Sequence, residues 1–521
     1  MVYLLQLIFF IAFALALHAD AHSVALSSFQ LSNTLGDHMV LQRDTPAMVW
    51  GFATPAVTVK TGFLGQSFVA VTGSDGVWRQ RLPAQPYSSQ PTTITFASSD
   101  GGTATLSDVL FGDVHICSGQ SNMQFTLTSN AGVPNKTQEI SDAANYPLIR
   151  VFTVGQGTSS TTPLSQLKTI EAQWNVSSPA IIGGPGWNTF SAVCWFTYRD
   201  VFKALGSRVP MGLISNNWGG TPIQKWASPA AVAACGGPAD STLYNAMIHP
   251  YLVGPMSIRT VIWYQGEANV GAAAYYACQQ PVMVQDWRKS FAVDFTFGFV
   301  VIAPCNCYHG DFSAADLRQS QLATLGAIPK VAFSIATDLV YPYSATGDIH
   351  PVNKQDVSQR LANQILTIEY GQETVGYGIP LYAGQSVLPD GSGIRVSLTG
   401  CGVAGCKVQS VTPPPQTAHT ATFAIQVADA NRTWLPAQAT VTADGQGLVL
   451  TPLTPITGSS ILASSYGRAD YPLNAATNAL GMPVAGWCFT VNGDPCYSST
   501  ENVFHDTSEE AQKFHKLGMR H

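Results

Sequence analysis

The sequence predicts an α/β protein, a parallel-sheet domain with a β-rich domain on either side of it. Three observations carry that prediction. Between residues 108 and 370, short apolar runs alternate with stretches of helical periodicity, the pattern of strands joined by crossover helices. Before and after that region the apolar runs are shorter, alternate in polarity and are broken by Gly, Pro, Asn and Asp, as in small sandwich domains. A chain of 521 residues is also too long for one core, so two or three domains are expected.

Composition narrows the functional classes. Hydrophobic residues make up 46% of the chain and charged residues only 11%, so this is a folded protein with a Ser-, Thr-, Asn- and Gln-rich surface. A formal net charge of -6 argues against a nucleic-acid partner.

Residues 1–21 are apolar from Leu4 to Leu17 and end Ala19-Asp20-Ala21, a signal-peptide core with a small-residue cleavage site. The apolar stretch is short for a membrane span. The expectation is a chain that is secreted or delivered to a lysosome-like compartment, with no membrane contact after cleavage. The sequons at Asn135, Asn175 and Asn431 are then expected glycosylation sites if the host is a eukaryote. Ten cysteines in an oxidising compartment imply disulfides. Cys401 with Cys406 and Cys488 with Cys496 are close loop pairs, and Cys235 with Cys278 is a further expected pairing, although connectivity does not follow from sequence. Cys305-Asn306-Cys307 lacks the partners a zinc site needs, so no metal and no other cofactor is expected.

The N-terminal β domain is expected over 22–107, with strands at Met48-Val49-Trp50 and Phe68-Val69-Ala70-Val71 and a turn at Gly73-Ser74-Asp75-Gly76. The α/β domain, 108–370, has expected strands at 113–117, 149–154, 211–215, 258–263, 297–302 and 331–336. Its helices are expected at 192–205, 275–291 and 354–370, the last with Val357, Leu361 and Ile365 on one face. A second β domain is expected over 371–490, interrupted by Pro413-Pro414-Pro415, and a charged, disordered tail over 491–521.

The first of these strands ends in Ser118-Gly119-Gln120-Ser121-Asn122, small and polar residues where an open α/β sheet places its ligand site. Gly119 permits a tight turn that leaves Ser121 unobstructed. A serine there becomes a nucleophile if a base and an oxyanion hole converge on it. Two later strand ends have suitable chemistry. Trp218-Gly219-Gly220-Thr221-Pro222 offers free backbone N–H groups, and Gln265 or Asn269 could give an amide N–H. Glu267 is expected to bind sugar hydroxyls or brace its loop. His350, at the entry to the helix over 354–370 and near Asp348, is a candidate general base oriented by a carboxylate.

Together, Gly119-Gln120-Ser121-Asn122-Met123, Trp218-Gly219-Gly220-Thr221-Pro222, Trp263-Tyr264-Gln265-Gly266-Glu267 and Asp348-Ile349-His350-Pro351 resemble the motifs of the sialate O-acetylesterase family, an SGNH-type group of carbohydrate esterases. The resemblance reaches both flanks, through Asp37-His38-Met39-Val40-Leu41-Gln42-Arg43 and Asn478-Ala479-Leu480-Gly481-Met482-Pro483. It implies an SGNH-hydrolase-like, three-layer α/β/α catalytic domain flanked by β-sandwich-like domains. It also implies a metal-free serine esterase that removes O-acetyl groups from sialic acid. Carried over by position, Ser121 is the nucleophile and His350 the base, while Gly219 or Gly220 and Gln265 supply oxyanion donors alongside the Ser121 backbone N–H. Asn122, Glu267 and Asn269 support substrate or loops. One departure stands out: a single residue separates Asp348 from His350 where the wider SGNH pattern has two, so Asp338 or a backbone carbonyl could orient the histidine instead.

Two other readings remain open at this stage. The same scaffold would serve acetylxylan or another acetylated glycan, because substrate choice lies in loops. A secreted carbohydrate-binding protein with a decayed esterase site is the second. A sialic acid carboxylate would call for a cation near the pocket, with Lys225 and Arg318 as candidates.

Overall fold

The computed structural model describes residues 28–129, 132–187, 189–305, 307–308, 312–339, 348–373, 378–410 and 422–497. The segment expected as signal peptide, the Pro413–Pro415 run and most of the expected tail lie outside them. An eleven-stranded sheet forms the centre. Its α/β portion contains β1 (Thr103–Gly119), β2 (Ile149–Val154), β3 (Ile170–Val176), β4 (Met211–Asn217), β5 (Thr260–Tyr264), β6 (Thr296–Val301) and β7 (Val331–Ile335). These lie in the order β3-β2-β4-β1-β5-β6-β7, all parallel except the antiparallel edge strand β3.

Alternate residues of these strands enter different cores, because neighbouring side chains on a strand point to opposite faces. Val261 and Trp263 join one apolar cluster with Tyr276, Trp287 and Phe291 of α3 (Ala273–Phe291). Ile262 and Tyr264 join the other, with Trp195 and Phe196 of α2 (Ala192–Ala204) and Leu361 and Ile365 of α5 (Lys354–Tyr370). Helix α4 (Ser313–Ala327) packs beside α3 and against β6 and β7. Strand β1 is where the chain order reverses: β4 and β2 lie to one side, β5, β6 and β7 to the other. Such a reversal opens a crevice at the carboxyl ends of the strands.

The domain boundary expected between residues 107 and 108 falls inside β1, which is one 17-residue strand. The first part of β1 pairs antiparallel with Ser88–Ser98 and parallel with Val40–Gln42, so the N-terminal β region is an extension of the central sheet. Asp108, at φ 54°, marks the change of direction, and its carboxylate holds Arg150 at 2.6 Å and His38 at 2.6 Å. A separate three-stranded sheet, Gln30–Leu31 with Ala47–Phe52 and Val77–Leu82, completes this region.

The C-terminal part is a seven-stranded antiparallel sheet with a small two-stranded one. It docks on α4, where Arg468 pairs with Asp316 at 3.1 Å and Gln319 exchanges hydrogen bonds with the backbone of Cys488. Residues 491–497, expected in the tail, belong to this domain: Val491 donates to the Leu462 carbonyl at 2.8 Å and Cys496 is bonded to Cys488. The expected pairs Cys401–Cys406 and Cys235–Cys278 form, and so do two that sequence reasoning had not paired, Cys305–Cys307 and Cys117–Cys194. Cys117 and Cys194 are far apart in the chain, but β1 and α2 bring them together within one core. No helix among the described residues is long and apolar enough to cross a membrane.

Further back on β1, His115 is fully buried, stacked on Tyr198 and bonded through Nδ1 to Thr260 Oγ1 at 2.7 Å. Burial lowers its pKa from 6.5 to about 3. The unfolded chain therefore takes up a proton below 6.5 that the folded chain refuses until about 3, and stability falls as pH falls through that window. This one group should contribute about 1.4 kcal/mol of lost stability per pH unit there. Urea unfolding of wild type and His115→Gln across this range should show the shallower slope in the variant; equal slopes would rule out the assignment.

Candidate functional site

The site grows from the carboxyl end of β1. Gly119 closes that strand at φ 141°, and a Cβ there would lie 2.2 Å from the Tyr264 carbonyl oxygen, so only glycine fits. Its partners are Asn217 on β4 and Tyr264 on β5, which places the ends of three strands side by side. The chain then turns into α1 (Ser121–Gln124), a single helical turn whose first residue is Ser121. Gly219 lies against it, since a Cβ on Gly219 would be 3.3 Å from the Ser121 Cβ.

Across the crevice, the loop leading into α5 carries His350, with its Nε2 2.9 Å from Ser121 Oγ. The two residues are 229 positions apart and both are half-buried. A neutral imidazole at that distance accepts the hydroxyl proton, which is what makes a serine nucleophilic. Trp187 meets the His350 ring edge-on, centroids 5.3 Å apart, and also meets Phe125 edge-on.

Behind Ser121 lies a buried polar network. Asn122 Nδ2 donates to Glu267 Oε1 at 2.6 Å and to the Ile349 carbonyl at 2.8 Å, while its Oδ1 accepts from Lys354 Nζ at 2.6 Å. Burial pushes Glu267 up, against the hydrogen bond from Asn122 and the Lys354 and Arg318 charges, which favour the carboxylate. Burial lowers Lys354 from 10.5 to about 7, against the pull of Glu267.

The expected oxyanion donors fare differently. The Gly219 N–H donates to Gln124 Oε1 at 2.7 Å. Gly220, at φ 71°, is the other member of that turn. Gln265 faces the interior: it is fully buried and its Nε2 donates to Asn269 Oδ1 at 2.7 Å, to Gln120 Oε1 at 3.2 Å and to the Thr221 carbonyl at 3.2 Å. Its Oε1 accepts from Tyr276 at 2.8 Å. Its amide thus braces three loops. Asn269 does the same, accepting the Ile223 N–H at 2.9 Å and donating to Gln224.

Asp348 stands two residues before His350 and is half-buried. Asp338 is engaged elsewhere, gripped by both Arg360 guanidinium nitrogens at 2.7 and 2.6 Å. The cations considered for a substrate carboxylate are also committed. Lys225 pairs with Asp240 at 2.5 Å, and buried Arg318 donates to the carbonyls of Ile302, Ala303, Ala469 and Asp470. Asn135, Asn175 and Asn431 are all exposed. Among the described residues no group of three His, Cys, Asp or Glu side chains could hold a metal ion.

Sequence reasoning missed Lys354, Gln124 and Trp187. Lys354 did leave a trace, because a lysine in the first turn of a helix opposes the helix dipole. Gln124 lies one helical turn after Ser121, a spacing that places both on one face.

Residues 111–367 match the family model of carbohydrate esterases described as sialic acid-specific acetylesterase. The chain is 32% identical to the sialate O-acetylesterases of Homo sapiens and of Pongo abelii over 397 residues, covering 68% of this chain and 73% of each relative. It is 31% identical to that of Rattus norvegicus over 422 residues. Its fold is similar to the crystal structure of a carbohydrate acetylesterase from Xanthomonas citri, with a TM-score of 0.74 and 28% identity over 88% of this chain and 99% of the other.

Proposed function

Because the chain belongs to the sialate O-acetylesterase family, and is therefore a carboxylic ester hydrolase acting on O-acetylated sugar, we propose that Ser121 is its nucleophile and sialic acid O-acetyl esters its substrates. The observation that carries this is the 2.9 Å approach of His350 Nε2 to Ser121 Oγ at the sheet's switch point. His350 takes the hydroxyl proton as Ser121 Oγ attacks the acetyl carbonyl carbon. The oxyanion that forms is held by the Ser121 backbone N–H and by Gly220, since Gln124 already occupies the Gly219 N–H. Collapse of the tetrahedral intermediate breaks the sugar ester bond, and His350 returns the proton to the leaving sugar oxygen. Water, deprotonated by His350, then attacks the acetyl-enzyme and releases acetate. Asp348, two residues before His350, is the carboxylate assigned to orient it, with a backbone carbonyl as the alternative, Asp338 being held by Arg360. The three-layer SGNH arrangement, the secretory or lysosome-like destination and glycosylation at Asn135, Asn175 and Asn431 belong to the same reading.

A second reading is favoured by one observation: buried Arg318 spends its donors on backbone carbonyls and the partly exposed Lys225 is paired with Asp240, so neither candidate is an uncommitted cation for a sialic acid carboxylate. A neutral acetylated glycan such as acetylxylan needs no such cation. Acetate release by the full chain from O-acetylated sialic acid and from acetylated xylan separates the two. Faster release from the sialic acid supports the first, and faster release from xylan retains the mechanism with a neutral glycan. No release from either, nor from an aryl acetate, overturns both in favour of a non-catalytic carbohydrate-binding protein.

A further inference from the structure

From the contacts behind the nucleophile we infer that Lys354 is a positioning residue, which acts through Asn122 to hold the His350 loop against the Ser121 turn, with Glu267 as its counter-charge. The inference rests on Ser121 and His350 being the reacting pair.

The location of Lys354 is costly. The residue is fully buried, a state lysine rarely adopts unpaired, and it opens α5, where the helix dipole disfavours a cation. Its ammonium lies over the Phe125 ring, 4.6 Å from the centroid, and near that of Tyr264 at 5.4 Å, and these faces soften the desolvation. It donates a hydrogen bond to Asn122 Oδ1, at 2.6 Å.

That bond decides how Asn122 is oriented. An ammonium offers only donors, whereas a carboxylate and a backbone carbonyl offer acceptors. With Lys354 on one side, and Glu267 Oε1 and the Ile349 carbonyl on the other, the Asn122 amide has a single satisfied orientation. Reversing it would set an NH2 against the ammonium and an oxygen against the carboxylate. The consequence reaches the reacting pair because of chain adjacency. Asn122 follows Ser121 and Ile349 precedes His350, so the Asn122–Ile349 bond runs beside the Ser121–His350 contact and joins the same two segments. Lys354 adds a third link four residues further on. The His350 loop is thus tied to the nucleophile turn at Ile349, His350 and Lys354. Displacing a reacting group by about 1 Å can cost on the order of 100-fold in rate.

The charge acting on the ammonium is Glu267, after β5; Glu267 in turn faces Arg318 of α4, Tyr264 at the end of β5 and Tyr308 after β6. A cation here disfavours a protonated His350, so removing it should move the acidic limb of the kcat/KM profile to higher pH. Glu267→Gln, isosteric and without the anion, should move that limb to lower pH.

The test uses the full chain, with hydrolysis of an aryl acetate and thermal unfolding measured for each variant. Lys354→Met is expected to lower kcat by about 10- to 100-fold with KM changed by less than about threefold. Because it strands a buried carboxylate, the double variant Lys354→Met with Glu267→Gln is measured beside it. The double variant removes both charges and should keep the low kcat in a folded protein. A folded double variant with kcat within about twofold of wild type overturns the inference, as do limbs in Lys354→Met and Glu267→Gln that fail to shift in opposite directions. Ser121→Ala is the control. Near-wild-type turnover in Ser121→Ala defeats the reading of the site itself, whereas a Ser121→Ala reduced to a residual rate beside a fully active double variant defeats only the role of Lys354.

Discussion

Replacing Ser121 with alanine is expected to lower kcat by about 10⁴-fold or more, with the fold unchanged. The size of the effect follows from what the residue supplies. Without Oγ there is no acetyl-enzyme, and hydrolysis would require water to attack the bound ester directly. His350 would still stand within reach of that water, and the backbone donors would still face the oxyanion, so a small residual rate should persist. Loss of stability should be minor, since Ser121 is half-buried on a one-turn helix and its side chain contributes one hydrogen bond. His350→Ala should cost a similar factor. The double variant should be little worse than either single one, because a nucleophile and its base act as a unit. Near-wild-type acetate release by purified Ser121→Ala would exclude the serine mechanism. Additive losses in the double variant would show that the two residues act independently.

The second large effect is expected at Gly119, where Gly119→Ala should destabilise the protein by about 3 kcal/mol or more and abolish activity with it. Two constraints coincide there. A φ of 141° lies where L side chains are strained, and the added methyl would sit 2.2 Å from the Tyr264 carbonyl oxygen, 2.7 Å from its carbon and 2.9 Å from its nitrogen. Relief would require β1 and β5 to separate just below the nucleophile. That would break the Gln120 N–H bond to the Tyr264 carbonyl, 3.0 Å long, and move Ser121 relative to Gly219. Urea unfolding and aryl acetate turnover should fail together in this variant, in contrast to Ser121→Ala, which should lose only turnover. A Gly119→Ala protein with wild-type midpoint and rate would show that the strand end tolerates a side chain.

The contrast between these variants reflects two kinds of information in the chain. Alternating apolar runs announced the strands and the long helices closely: 149–154 reappears as Ile149–Val154, and the helix over 354–370 as Lys354–Tyr370. Such elements are legible because burial imposes a period on a local stretch of sequence. That a strand runs across the boundary expected at residue 107 has a related reason. The run that becomes β1 changes neighbours, from antiparallel Ser88–Ser98 to parallel β4 and β5, and a change of partner leaves no mark on the strand's own pattern.

By itself the sequence determined that a serine and a histidine, on named turns after strands and before a helix, were the chemistry to examine. Glycines at positive φ and polar residues at strand ends are local requirements, so they can be read locally. Only the tertiary structure decided which polar groups face the crevice and which brace it. Gln265 was expected to donate to the oxyanion, but its amide is consumed by Asn269, Gln120, Thr221 and Tyr276. Arg318 was considered for substrate, but it ties α4 to the C-terminal domain. Lys354 passed unremarked and proved to lie behind the nucleophile, bonded to Asn122. The physical reason is common to all three. A buried polar side chain must be satisfied by whatever the fold brings near it. Those partners come from as far as 145, 151 and 232 positions away, separations over which sequence carries no period.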